Sequence, residues 1–158
     1  MEKLCAYKGS GEITAQDVDA VAVRTVEAVV FDLSKAMFAA DAARALAILS
    51  QLFRQKTEPV MILGALIACY VDIYRVKVFT LGGGRPEDAA SVFNYKGKEF
   101  RLRNAARDGR ELSLADVRRC LEILYRCDSD LKGSGMEPRL LLERCITELM
   151  LVQHSVRT

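Results

Sequence analysis

Between Pro59 and Phe79 the chain reads PVMILGALIACYVDIYRVKVF, a helical pattern whose first half carries apolar residues on nearly every side. Such a helix folds only if other elements cover most of its circumference, so the rest of the chain must supply a surrounding layer. The uninterrupted apolar part, Val60 to Val71, is shorter than the roughly 20 residues a bilayer span requires. The expectation is a buried central helix. Thr57-Glu58-Pro59 marks its start, with Thr57 as the cap and Pro59 in the first turn, where a missing N–H costs nothing. Gly82-Gly83-Gly84 ends it.

The other segments also have helical period, and none alternates as a strand would. ITAQDV, from Ile13 to Val18, reads as a helix start, with Thr14 as cap, Asp17 near the positive end of the dipole and a break at Gly9 to Gly11 before it. VEAVVFDLSKAMFAAD follows, with Val26, Val30, Leu33, Met37 and Phe38 on one side. Asp41 caps the next helix, whose stripe is Ala42, Ala45, Leu46, Leu49 and Phe53, and the short connection makes the two antiparallel neighbours. Beyond the glycines, Arg85-Pro86-Glu87 starts a short helix through Val92 and Phe93. A weaker helix covers 97–107 and ends at an Asp108-Gly109 turn. Ser113 with Asp116 three residues on forms a capping box for a helix whose stripe runs Leu114, Val117, Leu121, Leu124, Asp128 and Leu131. Gly133-Ser134-Gly135 stops it. Pro138 opens the last helix, with Leu141, Leu142, Cys145, Leu149 and Val152 on its apolar side. The fold class is an all-α helical bundle of about seven helices, without a sheet.

Several chemistries are excluded. The net charge of +2, from 23 basic and 21 acidic residues, gives no global case for binding nucleic acid or an anionic membrane. Cys5, Cys69, Cys120, Cys127 and Cys145 are odd in number and scattered, no CxxC occurs, and His154 is the one histidine. That argues against a disulfide scaffold or a zinc site and for a reducing cytosol. MEKLCAYKGSGE holds no apolar core of a signal peptide. No GxxxxGK[ST] is present, and Gly82-Gly83-Gly84 follows a helix rather than a strand, so it reads as a terminator and joint rather than an anion nest. A Cys–His pair would depend on His154, expected in a fraying tail. No catalytic residue, cofactor or metal is expected.

Two groups of charges remain. The stretch Tyr95 to Arg110 sets Lys96, Lys98, Arg101, Arg103, Arg107 and Arg110 against Glu99 and Asp108, with Tyr95 and Phe100 interleaved. Phosphate contact with base stacking fits this pattern. A solvated helix face, with Arg103 and Arg107 on one side, fits it better. The second group is Asp72, Arg75 and Lys77 on the central helix, with Asp128, Asp130 and Lys132 later. Asp72 is in reach of Arg75 three residues on. Asp128, on an apolar stripe, needs an answer from Lys132 at i+4, from Arg75 or Lys77 across the bundle, or from another subunit. The expectation is a set of structural or interface ion pairs, not a catalytic acid.

Taken together, ITAQDV, VFDLSKAM (Val30 to Met37), ARALAILSQLF (Ala43 to Phe53), EPVMILGAL (Glu58 to Leu66), the Lys77 end of that helix, LADV (Leu114 to Val117) and CDSDLKGSG (Cys127 to Gly135) carry a resemblance. In order and spacing the chain resembles the C-terminal part of the delta subunit of bacterial DNA polymerase III, a clamp-loader component. The resemblance implies an AAA+-like design of two N-terminal domains followed by a helical collar. Residues 1–25 would be the tail of the lid-like second domain and 26–158 the collar. Also implied are assembly with gamma/tau-type and delta-prime-type subunits in a pentameric ring and contact with the sliding clamp only through the N-terminal domain. DNA would be met only through the assembled complex, ATP would not be hydrolysed, no membrane would be involved, and the location would be cytoplasmic. The alternative is a helical nucleic-acid-binding domain using residues 96–110. Two departures stand out: Ala68 and Val71 occupy positions where family members often carry arginine, with Arg75 as a substitute. Asn94-Tyr95-Lys96 stands where a glycine-containing turn is common.

Overall fold

The computed structural model describes residues 24–155, which form seven α-helices: α1 Val26–Phe38, α2 Ala42–Arg54, α3 Pro59–Leu81, α4 Ala89–Val92, α5 Glu99–Asp108, α6 Leu114–Gly133 and α7 Pro138–His154. The expected ITAQDV helix, the glycine break before it and Cys5 lie outside the described residues. No strand occurs among the described residues.

α3 is the spine, packed by α1, α5, α6 and α7. Its two halves serve two cores. Ile62, Leu63, Leu66 and Tyr70 join α1, α2, α6 and α7 in the larger one, with Leu33, Met37, Leu49, Leu124, Leu141 and Leu142. Each such side chain contributes about 1.5–3 kcal/mol by leaving water. Ile73 and Val76 build the smaller core with Ala89, Tyr95, Leu102, Ala105, Leu112 and Val117, and Phe38 and Leu121 pack against both. Gly109 allows the end of α5 to close on α3, because a Cβ there would sit 2.5 Å from Ile73 Cγ2.

The caps follow the sequence in part. Asp41 accepts from the Arg44 amide at 3.0 Å, and Ser113 and Asp116 form the full capping box. At α3 the cap is Glu58, without a side-chain bond, rather than Thr57. The helix also continues to Leu81, so its 23 residues are long and apolar enough to cross a bilayer, which the run from Val60 to Val71 did not suggest. The Arg85 restart yields a single helical turn, Ala89–Val92.

Two stripes are rotated from their expected positions. On α2, Leu52 is buried and Leu46 exposed, because the face turned to α1 and α7 is centred on Ala45, Leu49 and Leu52, with Ile48 and Phe53 partly buried beside them. On α6 the buried line is Val117, Cys120, Leu124 and Cys127, which moves Asp128 to the flank. Cysteine is small and apolar enough to serve as core there. α3 is not covered all round: Val60 and Met61 are 51% and 54% exposed. His154 is no tail residue, since it closes α7 and its Nε2 lies 2.9 Å from the Met37 carbonyl.

Candidate interaction surface

The charges singled out in the sequence fall into three places, and none forms the cross-bundle pair considered for Asp128. Asp128 is met by Lys132 one turn on, at 2.5 Å, on an exposed part of α6. Asp130 pairs with Arg144 of α7, which also approaches Glu148 at 3.6 Å, while Arg126 bonds Glu148 from the α6 side. These pairs tie α6 to α7 along a solvated seam, where each contributes at most about 1 kcal/mol. Lys77 donates to the Arg110 carbonyl at 3.3 Å, and burial lowers its pKa while Asp116 acts the other way.

Asp72 is where sequence reading and structure diverge most. It faces the seam between the two cores, only 4% exposed, and does not pair with Arg75. Its Oδ2 accepts from Arg101 Nε at 2.8 Å, with Arg101 Nη2 also at 2.8 Å. The Tyr95 hydroxyl donates to Oδ1. Arg75 in turn donates to Tyr95 Oη at 2.6 Å, its guanidinium 5.7 Å from the centres of both the Phe93 and Tyr95 rings. Burial, and then the hydrogen bond to Asp72, push the Tyr95 phenol above its ordinary range, with Arg75 acting the other way. Lone buried carboxylates are costly, and a guanidinium with a phenol satisfies this one. The signal was present as an aspartate on a core helix, but Arg101 stood in the basic cluster and its partner was 29 residues away.

The basic cluster itself is divided. Arg101 turns inward to Asp72, Arg107 is held by Asp108 at 2.8 Å, and Tyr95 is buried and unable to stack on a base. Lys96, Lys98, Arg103 and Arg110 are exposed, and Phe100 projects beside them. A cleft of about 530 Å³ between α1, α5 and α7 collects Lys35, Arg107 and Arg110, but also Asp108 and Glu111. Burial raises the Cys69 thiol to about 11 and the Cys120 thiol to about 12, while a hydrogen bond from Cys145 lowers that of Cys127. A contact with Cys127, and then burial, push Cys145 up as well. Among the described residues no three or more His, Cys, Asp and Glu side chains are grouped to hold a metal.

Beyond these charges, one side of α3 is left open. The open side of α3 presents Val60, Met61 and Gly64, then Ile67, Ala68 and Val71, and ends at Arg75, with Lys98 and Arg101 opposite. A family model described as DNA polymerase III delta subunit, C-terminal domain, matches residues 27–149. The chain belongs to that family. It is 28% identical over 151 residues to DNA polymerase III subunit delta of Bacillus subtilis (strain 168), covering 95% of this chain and 43% of that protein. The fold is also similar to the solved Bacillus subtilis DNA clamp loader delta protein, with a TM-score of 0.79 and 29% identity over 94% of this chain and 44% of that one. The chain thus spans less than half the length of the relatives it matches. The backbone at Asn94 has a φ of 57°, a left-handed value that asparagine tolerates better than most residues.

Proposed function

We propose that this chain is the assembly region of a clamp-loader delta subunit, joining gamma/tau-type and delta-prime-type subunits through its helical domain and carrying out no chemistry itself. In this reading residues 26–158 are the collar and residues 1–25 belong to a preceding lid-like domain. DNA and the sliding clamp are met by the assembled complex, in the cytoplasm, and Asp130–Arg144 holds α6 against α7 while Asp128–Lys132 stays within α6. The observation that carries the reading is the open apolar side of α3. A helix of this composition, left half uncovered at Val60 and Met61 in a domain of this family, is built to be covered by another protein. The nucleic-acid alternative is weakened by the inward turn of Arg101 and the burial of Tyr95, which remove a cation and a stacking platform from residues 96–110. Size-exclusion chromatography with light scattering, on the chain mixed with the C-terminal domains of the other clamp-loader subunits of the same genome, tests the proposal. A defined hetero-oligomer is expected. Separate elution of every component at micromolar concentration would overturn it.

A further inference from the structure

We infer that the groove between α3 and the α4–α5 loop seats an apolar helix carrying a carboxylate, contributed by the helical domain of a neighbouring subunit. This deepens the assembly reading and rests on it. The groove holds about 350 Å³, enough for one or two anchoring side chains rather than a free ligand. Its floor is Gly64, Ile67, Ala68 and Val71, and its wall is Phe93-Asn94-Tyr95.

Gly64 gives the first reason. A glycine in mid-helix costs about 1 kcal/mol relative to alanine, and such a cost normally reflects close packing inside the fold. Here a Cβ would meet nothing within 4 Å, so no neighbour in the described structure requires the glycine. Close approach of a backbone from outside does require it, and Ala68 one turn on extends the same low floor.

The second reason is electrostatic. Arg75, Lys98 and Arg101 converge on the groove, and Asp72, the carboxylate in its lining, is already bonded to Arg101 and Tyr95. Arg75 is half-buried and fixed between two aromatic rings, yet its hydrogen bond goes to a phenol, and no described carboxylate pairs with it or with Lys98. A half-buried guanidinium held in one orientation without an anion is incomplete, and a partner's Asp or Glu completes it bidentately. A nucleic-acid phosphate would supply the charge but leave the apolar floor and exposed Val60 and Met61 uncovered.

The test measures binding of the chain to the immobilised C-terminal domains of the other clamp-loader subunits, for the parent and for Gly64→Leu, Lys98→Glu and, on the far side of α2, Arg54→Glu. Because the space over Gly64 is open, Gly64→Leu keeps the helical circular dichroism and melts at or above the parent. Expected are a loss of about tenfold or more in affinity for Gly64→Leu and Lys98→Glu, and parent-like binding for Arg54→Glu. If the parent binds and both groove variants bind equally well, the groove assignment is wrong while the assembly role stands. A parent that binds none of the domains sinks both. If the parent self-associates and Gly64→Leu abolishes that, the occupant is a second copy and the inference is overturned. The same holds if Lys98→Glu weakens only binding to primed DNA.

Discussion

Replacing Arg101 with methionine keeps the apolar stem of the side chain and removes the guanidinium from Asp72. The carboxylate would then stay at the seam of the two cores with only the Tyr95 hydroxyl bonded to it, because α3 cannot turn without moving Ile73 and Val76 out of the smaller core. Removing one partner of a fully buried pair costs about 3–5 kcal/mol. The Asp72 side chain is 5% exposed but that of Arg101 is 34%, so water moderates the loss and about 2 kcal/mol is the working figure. For a domain of this size that lowers Tm by about 4–8 °C. In urea the midpoint falls by about 1 M while the slope stays constant. Asp72→Asn supplies the cycle: with the charge gone, Arg101→Met costs at least about 1 kcal/mol less than it does in the parent. An Arg101→Met variant within about 0.5 kcal/mol of the parent, with no coupling to Asp72, would refute the view of Asp72 as a buried charge that depends on its guanidinium.

The ends of α1 and α2 adopt a left-handed residue before the chain turns, but place Ala40 (φ 61°) and Lys56 (φ 55°) where α3 uses Gly83. Ala40→Gly and Lys56→Gly should therefore each stabilise the domain by about 0.5–1 kcal/mol, read by urea denaturation, since relief of left-handed strain outweighs glycine's added entropy. At the start of α6 the Ser113 hydroxyl, and then its backbone N–H, hold the Asp116 carboxyl below its ordinary value. The folded pKa is depressed, so this contribution is complete above about pH 4 and fades as the pH falls through the folded value. Ser113→Ala should cost about 1 kcal/mol at neutral pH and flatten the loss of stability below pH 4. Cys120 and Cys145, buried and raised, should resist alkylation at pH 8 in the native state and react fully in denaturant, as read by peptide mass spectrometry.

The sequence carried the helices because their signals are local. Asp41, the Ser113–Asp116 box, Pro59, Pro138 and the glycine stops each act within one turn of the chain, and each stands at or beside a helix end here. The faces were harder to read. A leucine at position 46 and a cysteine at 127 have opposite fates because burial depends on where α7 and α1 lie, which no local pattern encodes. Leucine also outranks cysteine in any hydropathy reading, so the α6 stripe was drawn one side away from its true line and Asp128 was drawn into it. The Asp72 network was hidden for a different reason. Its partners come from the α4–α5 loop and from α5, and Arg101 looks like any other member of a basic run until the chain folds it back on α3. The open side of α3 was illegible in principle, since a helix apolar all round looks the same whether its cover lies in its own chain or in another.

Two-colour sedimentation velocity tests the central claim most directly. The chain carries one dye, primed DNA another, and the C-terminal domains of the other clamp-loader subunits are added unlabelled at physiological salt. The account predicts that the chain moves into a faster boundary with those domains and that the DNA signal does not follow it. A chain that sediments with DNA, or that keeps its own slow boundary whatever domains are present, would contradict the assignment of this surface to assembly.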